Sequence, residues 1–260
     1  RLSSLLEHYQ NGRFSEAETL AISLTEEFPN HQFAWKVLGA VLKQTGRIAD
    51  SLFPMQKSAQ LAPQDAEAHS NLGNTLKDLG RLDEAEASYN QAIALKPDYA
   101  EAYSNLGVTL QALERLDEAE ASLGKAIALK PDYPEAHYNL GVTLQALGKL
   151  DEAETSYNQA IALKPGYAEA HGNLGVTLQA LARLDEAEAS YKQAIALRPG
   201  FFEAHSNLGN IFKELGRVNE AEASFTQAIA LKPDFVEAHY NLGSTLKELG
   251  RLGEAEASLG

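Results

Sequence analysis

Prolines recur along this chain at one constant interval. They stand 34 residues apart, with no insertion or deletion between them, at Pro63, Pro97, Pro131, Pro165, Pro199 and Pro233. A fixed period of this length is typical of proteins in which one small unit is stacked on copies of itself. The spacing therefore predicts a stacked array in which each unit buries its apolar surface against its neighbours.

Each unit carries the pattern of two amphipathic helices. In the unit that begins at Ala66, apolar and small residues follow the i, i+3, i+4, i+7 spacing of a helix, and a second such stretch begins at Leu82. Pro97 ends the second stretch, because proline has no backbone N–H and its ring opposes helix continuation. Asp98, followed by Glu101, predicts the start of the next helix. No segment alternates as a strand does, so we predict an all-α fold.

The register predicts a single array over residues 1–260. A partial, degenerate repeat is expected at 1–31, an atypical repeat at 32–65 and a truncated repeat at 236–260, with regular repeats at 66–99, 100–133, 134–167, 168–201 and 202–235. In the atypical repeat, Ser51 replaces a small alanine and Pro54 falls inside the second helix. Since an interior proline removes a helix hydrogen bond, we expect a kink there or a helix that begins later than its counterparts.

Composition and motifs argue against several classes of function. A formal net charge of −14 should repel nucleic acids and anionic membrane surfaces. No apolar run could span a bilayer and no secretory signal pattern is present, so we predict a cytoplasmic location. The chain has no cysteine, which excludes disulfides and zinc–thiolate sites. It also lacks the common phosphate-loop, metalloprotease and serine-hydrolase motifs, so we predict no enzymatic activity and no cofactor.

Two recurring sets of ionisable residues resemble catalytic or metal sites. Histidine occupies the fourth position of five repeats, at His69, His137, His171, His205 and His239. Equivalent residues of successive repeats lie at least ~8 to 10 Å apart, too far to share one zinc ion. Trp35 and Tyr103 fill the same position, which favours a packing role. Acidic neighbours such as Asp83 and Glu84 point ~100° apart, so we predict that they stabilise helix starts and share no site.

The unit resembles the tetratricopeptide repeat. Leu-Gly occupies its seventh and eighth positions, alanine the twentieth, an aromatic residue near the twenty-fourth and proline the thirty-second. Met55 and Leu123 depart from the aromatic preference. The resemblance implies a right-handed superhelical solenoid of 34-residue helix-turn-helix repeats. It also implies that the first helix of each repeat lines a concave groove.

Asparagine recurs at the sixth position of six repeats, a set that we call the asparagine ladder: Asn71, Asn105, Asn139, Asn173, Asn207 and Asn241. This position lies roughly 90° from the apolar stripe, and asparagine is a poor residue for a helix interior. Its amide offers a donor and an acceptor, which suit an extended peptide backbone. The pattern resembles the asparagine ladder with which O-linked N-acetylglucosamine transferases hold substrate peptides. Asn74 and Asn210, one turn on, are expected to face the same groove.

The asparagine ladder is also consistent with two interpretations that involve no ligand. One asparagine could have been copied as the array expanded by duplication, since GVTLQAL recurs at 107, 141 and 175. Alternatively, each asparagine could bond to the adjacent repeat and set the superhelical twist.

The charges of the first helices predict which peptides bind. Related domains that grip a terminal carboxylate carry Lys or Arg at the second, fifth and sixth positions of the repeat. Here the second position is glutamate in six repeats and the sixth is asparagine, and Lys36 is the lone basic exception. We therefore predict partners with neutral or basic segments.

These observations predict a protein–protein interaction scaffold that binds extended peptide segments and has no chemistry of its own. One alternative is the substrate-recruiting arm of a larger transferase whose catalytic domain lies outside this sequence. Another is an architectural protein whose repeats stack end to end. The last repeat leaves Leu252, Ala255 and Leu259 without a covering helix, so we expect end-to-end self-association.

Overall fold

The computed structural model describes residues 1–259, except for the side chains of Ala257 and Leu259. The described residues form sixteen α-helices and no strand, so the prediction of an all-α fold is confirmed. The contacts divide the chain into two compact units, residues 1–131 and residues 132–260. Each helix of the described chain is too short or too polar to cross a membrane.

Unit 1 (residues 1–131) consists of four helix pairs. Its helices are α1 (Leu2–Gln10), α2 (Phe14–Glu27), α3 (Gln32–Gln44), α4 (Ile48–Leu61), α5 (Ala66–Asp78), α6 (Leu82–Leu95), α7 (Ala100–Ala112) and α8 (Leu116–Leu129). Odd-numbered helices are the first helices of their repeats and even-numbered helices are the second. Each of α2, α4 and α6 packs against its own first helix and against the next one, while α1 also touches α3 and α5 touches α7.

Unit 2 (residues 132–260) repeats this arrangement. Its helices are α9 (Pro134–Ala146), α10 (Leu150–Leu163), α11 (Ala168–Ala180), α12 (Leu184–Leu197), α13 (Phe202–Glu214), α14 (Val218–Leu231), α15 (Val236–Glu248) and α16 (Leu252–Leu259). Here α10, α12 and α14 each bridge two first helices. The first helices also contact one another in the order α9, α11, α13, α15. In both units the first helices therefore form a layer of their own.

In the six repeats from residue 32 to residue 235, the core contains a glycine that faces a large side chain. A Cβ atom placed on Gly73 would lie 2.7 Å from Cε1 of Tyr89. A Cβ atom placed on Gly175 would lie at the same distance from Cε1 of Tyr191. Alanine at the twentieth position is fully buried in every repeat from 66 onward, and Ser51 is equally buried in the atypical repeat. The two helices of a repeat thus approach closely because both contain small residues where they meet.

Arginines before the second helices connect successive repeats. Arg115 binds Glu86 of the preceding repeat and Glu118 of its own, both at 2.6 Å, and Arg183 contacts Glu154 and Glu186 in the same way. The hydrogen bond from Arg115 lowers the pKa of the Glu118 carboxyl. These pairs lie at the surface, where each contributes little to stability. The acidic residues are recognisable in the sequence as helix starts, but their arginine partners are not.

Three local expectations need correction. Asp98 does not cap α7, whose N-cap is Tyr99 with no side-chain hydrogen bond. Helix α4 begins at Ile48, the position equivalent to Leu82, and includes the buried Pro54, so the late start is wrong, while the kink stays a prediction. Ala255 is fully buried, because the twentieth position faces the first helix of the same repeat, while Leu252 is 62% exposed. The side chain of Leu259 lies outside the described residues.

Candidate functional site

All six members of the asparagine ladder lie on first helices and are half-buried. Asn71 and Asn105 belong to unit 1, on α5 and α7. The four in unit 2, on α9, α11, α13 and α15, are Asn139, Asn173, Asn207 and Asn241. The ladder is thus partly accessible, and its amides differ in the partners they have.

Two ladder residues in unit 2 bond to the preceding repeat. The Nδ2 amide of Asn173 donates to the Tyr138 hydroxyl at 3.1 Å, and that of Asn241 donates to Oδ1 of Asn210 at 3.0 Å. Burial raises the pKa of the Tyr138 hydroxyl, which therefore stays neutral. Both bonds join neighbouring first helices, as expected for residues that fix the angle between repeats.

The remaining ladder amides include three with no hydrogen-bond partner within the described chain, on Asn71, Asn105 and Asn207. Among residues 1–259, no side chain or backbone group bonds to these amides. The amide of Asn74 is half-engaged within the described chain. Its Oδ1 accepts from the Tyr89 hydroxyl at 2.7 Å, while its Nδ2 donates to no other described group. An unused side-chain amide can donate to and accept from a peptide backbone.

Unit 1 contains a groove of about 440 Å³ between α1, α3 and α5. Its apolar lining comes mainly from side chains of α1 and α3: Leu6, Tyr9, Phe33, Val37 and Ala40. Met55 of α4 also contributes. The polar lining includes Asn71 and Asn74 together with Lys36, Lys43 and Glu67. The structure therefore places two of the expected site residues beside an apolar surface and two lysines.

Both lysines of this groove form ion pairs with α5. The Lys36 ammonium lies 2.7 Å from Glu67, and the Lys43 ammonium lies 2.7 Å from Asp78. Lys36 stands out in the sequence as a basic exception, whereas Lys43 was missed. The signal was available, because α3 contains both lysines and no acidic residue.

In unit 2, the twelfth position of the first helices connects repeats through polar side chains. Gln145 Oε1 accepts from the Thr177 hydroxyl of the next first helix at 3.3 Å, and Gln179 Nε2 donates to Glu214 of the next first helix at 2.5 Å. Lys213 continues this pattern with Glu248 at 3.4 Å. These side chains are occupied by one another, so they hold the first-helix layer together.

Cations cover aromatic rings where one repeat joins the next. The Arg198 guanidinium lies 3.7 Å from the centre of the Phe201 ring and also binds Glu169 at 2.6 Å. Lys164 lies 4.3 Å from the Tyr167 ring. Such contacts are worth ~0.5 to 2 kcal/mol each. Each cation stands three residues before its ring, so this spacing was available in the sequence although the sequence analysis did not use it.

The histidines of the fourth position bond to the proline that ends the preceding repeat. The Nε2 atoms of His69, His205 and His239 lie 3.1, 3.2 and 2.8 Å from the carbonyl oxygens of Pro63, Pro199 and Pro233. Trp35 donates its indole N–H to Pro29 in the same manner, at 2.8 Å. A shared bond made by two ring types supports the packing interpretation of this position. Within residues 1–259, His, Asp and Glu form no group that could hold a metal ion.

Comparison with protein families identifies the repeat. Models described as tetratricopeptide or TPR repeats match residues 5–66, 55–87, 73–114, 98–166, 132–200, 190–223 and 209–250. The chain belongs to the tetratricopeptide repeat family. No curated protein sequence gives a significant match. The resemblance of the asparagine ladder to that of glycosyltransferase arms stays a prediction.

Several solved structures share this fold. Cut9, in the APC/C hetero-tetramer Cut9–Hcn1, aligns with 93% of this chain at 20% identity and a TM-score of 0.77, and this chain spans 48% of that one. PilF of Pseudomonas aeruginosa gives a TM-score of 0.71 at 20% identity, over 80% of this chain and 94% of its own. YrrB, described as a TPR protein with an unusual peptide-binding site, aligns at 26% identity with a TM-score of 0.60, over 71% and 95%. These likenesses confirm a tetratricopeptide-type solenoid.

Proposed function

We propose that this protein is an interaction scaffold that binds extended segments of partner proteins along the layer of first helices. The observation that carries the proposal is the set of half-buried amides on Asn71, Asn105 and Asn207 that have no partner within the described residues. A helix-interior asparagine without a partner has no evident structural use. An extended peptide would supply the missing donors and acceptors.

Each asparagine would hold the peptide backbone and not a particular side chain. One such hydrogen bond contributes ~0.5 to 1.5 kcal/mol, so affinity would come from several repeats acting together. Apolar side chains of the bound segment would occupy spaces such as the groove between α1, α3 and α5. The description of YrrB as a protein with a peptide-binding site supports a peptide ligand for a chain with this fold.

The charge preference would be set by glutamates that have no partner of their own. In unit 2, Glu203 and Glu237 are exposed and form no ion pair within the described residues. Glu135 and Glu169 are already paired, with Lys164 and Arg198. Unit 2 would therefore accept neutral or basic segments more readily than acidic ones.

The test compares free ladder residues with engaged ones. Peptides are selected on the parent protein from a random library, and their affinity is measured for the variant in which Asn71 and Asn105 are replaced by Ala. Loss of two hydrogen bonds should weaken peptides bound to unit 1 about tenfold, since each bond is worth ~0.5 to 1.5 kcal/mol. The unfolding midpoint of this variant should stay close to that of the parent.

The matched control replaces Asn173 and Asn241 by Ala. These residues hold neighbouring repeats together, so this variant should lose roughly 1 to 3 kcal/mol of stability, as for two hydrogen bonds within the fold. If the first variant unfolds more easily while its peptide affinity is unchanged, the free asparagines belong to the fold and the proposal is wrong.

A further inference from the structure

Helix α3 differs in charge from every other first helix. It contains Lys36 and Lys43 and no acidic residue, whereas each of the other first helices contains one more acidic than basic residue. Phe33 occupies its second position, where six later repeats carry glutamate. In a chain with a net charge of −14, α3 is the one first helix within the described residues that carries a net positive charge.

The two lysines of α3 border the apolar groove. Lys36, Lys43 and Phe33 all line the space of about 440 Å³ between α1, α3 and α5. Leu6 of α1, also in the lining, is 39% exposed, which leaves apolar surface open to solvent. An occupant that covers this surface would remove apolar area from water, which favours binding.

The ion pairs of the two lysines leave them able to bind a ligand. The side chains of Lys36 and Lys43 are 23% and 32% exposed, and Glu67, the partner of Lys36, is 56% exposed. An ammonium group has three donors, and a single carboxylate at 2.7 Å does not exhaust them. Because these pairs are partly exposed, a ligand carboxylate can share the ammonium group with the internal carboxylate.

We propose that this groove binds an acidic and apolar segment of a partner protein, in which an aliphatic or aromatic side chain is flanked by Asp or Glu. The apolar side chain would enter between Leu6, Phe33 and Val37, and the flanking carboxylates would contact Lys36 and Lys43. The free amide of Asn71 and the Nδ2 group of Asn74 would hold the backbone beside them. This inference rests on the proposed function, and it gives the groove of unit 1 a preference opposite to that of unit 2.

The experiment selects peptides from a random library displayed with both ends joined to carrier sequence, so that no free terminal carboxylate is present. Each enriched peptide is then measured on the variant with Lys36→Met and Lys43→Met, which keeps the apolar stems and removes the charges. We expect acidic and apolar sequences to be enriched on the parent and to bind this variant about tenfold more weakly, a change of about 1.4 kcal/mol. Added salt should weaken binding to the parent more than to the variant.

The matched control replaces Lys213 and Lys247 by Met, at the positions in unit 2 equivalent to Lys43. These changes should leave the affinity of the acidic peptides unchanged. A second measurement alters the peptide alone, with Asn or Gln in place of its acidic residues. The altered peptide should bind the parent about tenfold more weakly than the original peptide does. It should bind the variant lacking Lys36 and Lys43 no more weakly than the original peptide does. This pattern separates a direct contact from a folding defect.

Two results would overturn the inference. Enrichment of neutral or basic peptides whose affinity does not depend on Lys36 and Lys43 contradicts it, while leaving the interaction scaffold intact. Failure to enrich any peptide on the parent contradicts both this inference and the proposed function.

Discussion

The atypical repeat (residues 32–65) and the regular repeat at residues 168–201 solve the same packing problem with different residues. In the regular repeat, Gly175 faces the rigid ring of Tyr191, whereas in the atypical repeat Gly39 faces the flexible side chain of Met55. Ser51 is as fully buried as Ala187 at the twentieth position. Packing thus requires a small residue at the eighth and twentieth positions and a large one at the twenty-fourth. It does not require that the large residue be aromatic or that the small one be apolar.

Two first-helix positions of the same repeats differ in charge. The atypical repeat has Lys36 and Lys43 where the regular repeat has Gly172 and Gln179. Gln179 accepts a hydrogen bond from the Tyr191 hydroxyl of its own repeat at 3.4 Å, whereas Lys43 pairs with Asp78 of the next repeat. Small residues at the eighth and twentieth positions are thus kept in both repeats, while these first-helix positions carry different chemistry.

The largest difference between the two repeats is expected in the stability lost when the glycine of the eighth position is replaced by alanine. In the Gly175→Ala variant, the new Cβ would lie 2.7 Å from the fully buried ring of Tyr191. Because the ring cannot move aside, overpacking should outweigh the better helix propensity of alanine, and stability should fall by about 2 kcal/mol. Chemical denaturation measures this free energy of unfolding.

Gly39→Ala is the matched change in the atypical repeat. Its Cβ would meet Cε and Cγ of Met55 at 2.9 Å, and this side chain can adopt another rotamer. We expect its stability to remain within about 1 kcal/mol of the parent, because alanine improves helix propensity by a similar amount. Equal losses in the two variants would contradict the distinction between rigid and flexible partners.

A smaller effect is expected at the turn between the two helices of a repeat. Ala182 has φ of 58°, whereas Gly46 has φ of 80° at the equivalent position of the atypical repeat. Because the left-handed conformation is strained for a residue with a Cβ, Ala182→Gly should stabilise the protein by about 1 kcal/mol. Thermal unfolding measures the change.

The reverse substitution provides the control. A Cβ atom on Gly46 would meet nothing within 4 Å, so Gly46→Ala changes the backbone preference alone. It should destabilise the protein by about 1 kcal/mol. If both substitutions shift the midpoint in the same direction, strain at this turn is not the cause.

The weakest of these effects concerns the fourth position, where His171 stands in the regular repeat and Trp35 in the atypical one. Burial lowers the pKa of His171 from its ordinary 6.5, and a hydrogen bond to the backbone of Pro165 opposes this shift. The unfolded state therefore binds a proton more readily than the folded state. The contribution of His171 to stability is full above the ordinary pKa and is lost as the pH falls below it.

His171→Trp should remove this dependence, because tryptophan does not titrate. Unfolding midpoints measured between about pH 7 and pH 5 should fall less in the variant than in the parent. The same substitution at His205, the fourth position of the next repeat, is the control for the larger ring at an equivalent site. A parent and variant with identical pH dependence would show that burial of the His171 ring has no energetic consequence.

The fold could be predicted from the sequence because one period governs every repeat. The proline spacing and the small residues at the eighth and twentieth positions determine two helices per repeat and their close contact, without information from distant parts of the chain. A local signal can also mislead, as at Asp98, which has the spacing of a capping residue but leaves α7 to begin after Tyr99.

The helix face that carries the asparagine ladder follows from sequence alone, since residue spacing fixes direction on a helix. Which ladder amides the fold uses depends instead on tertiary contacts. Asn173 reaches Tyr138 of the preceding repeat, whereas Asn71, with the same local sequence position, faces a groove. The groove and its pairing of Lys43 with Asp78 likewise require α3 and α5 to lie side by side. Contacts between repeats depend on distances that a one-dimensional pattern does not contain.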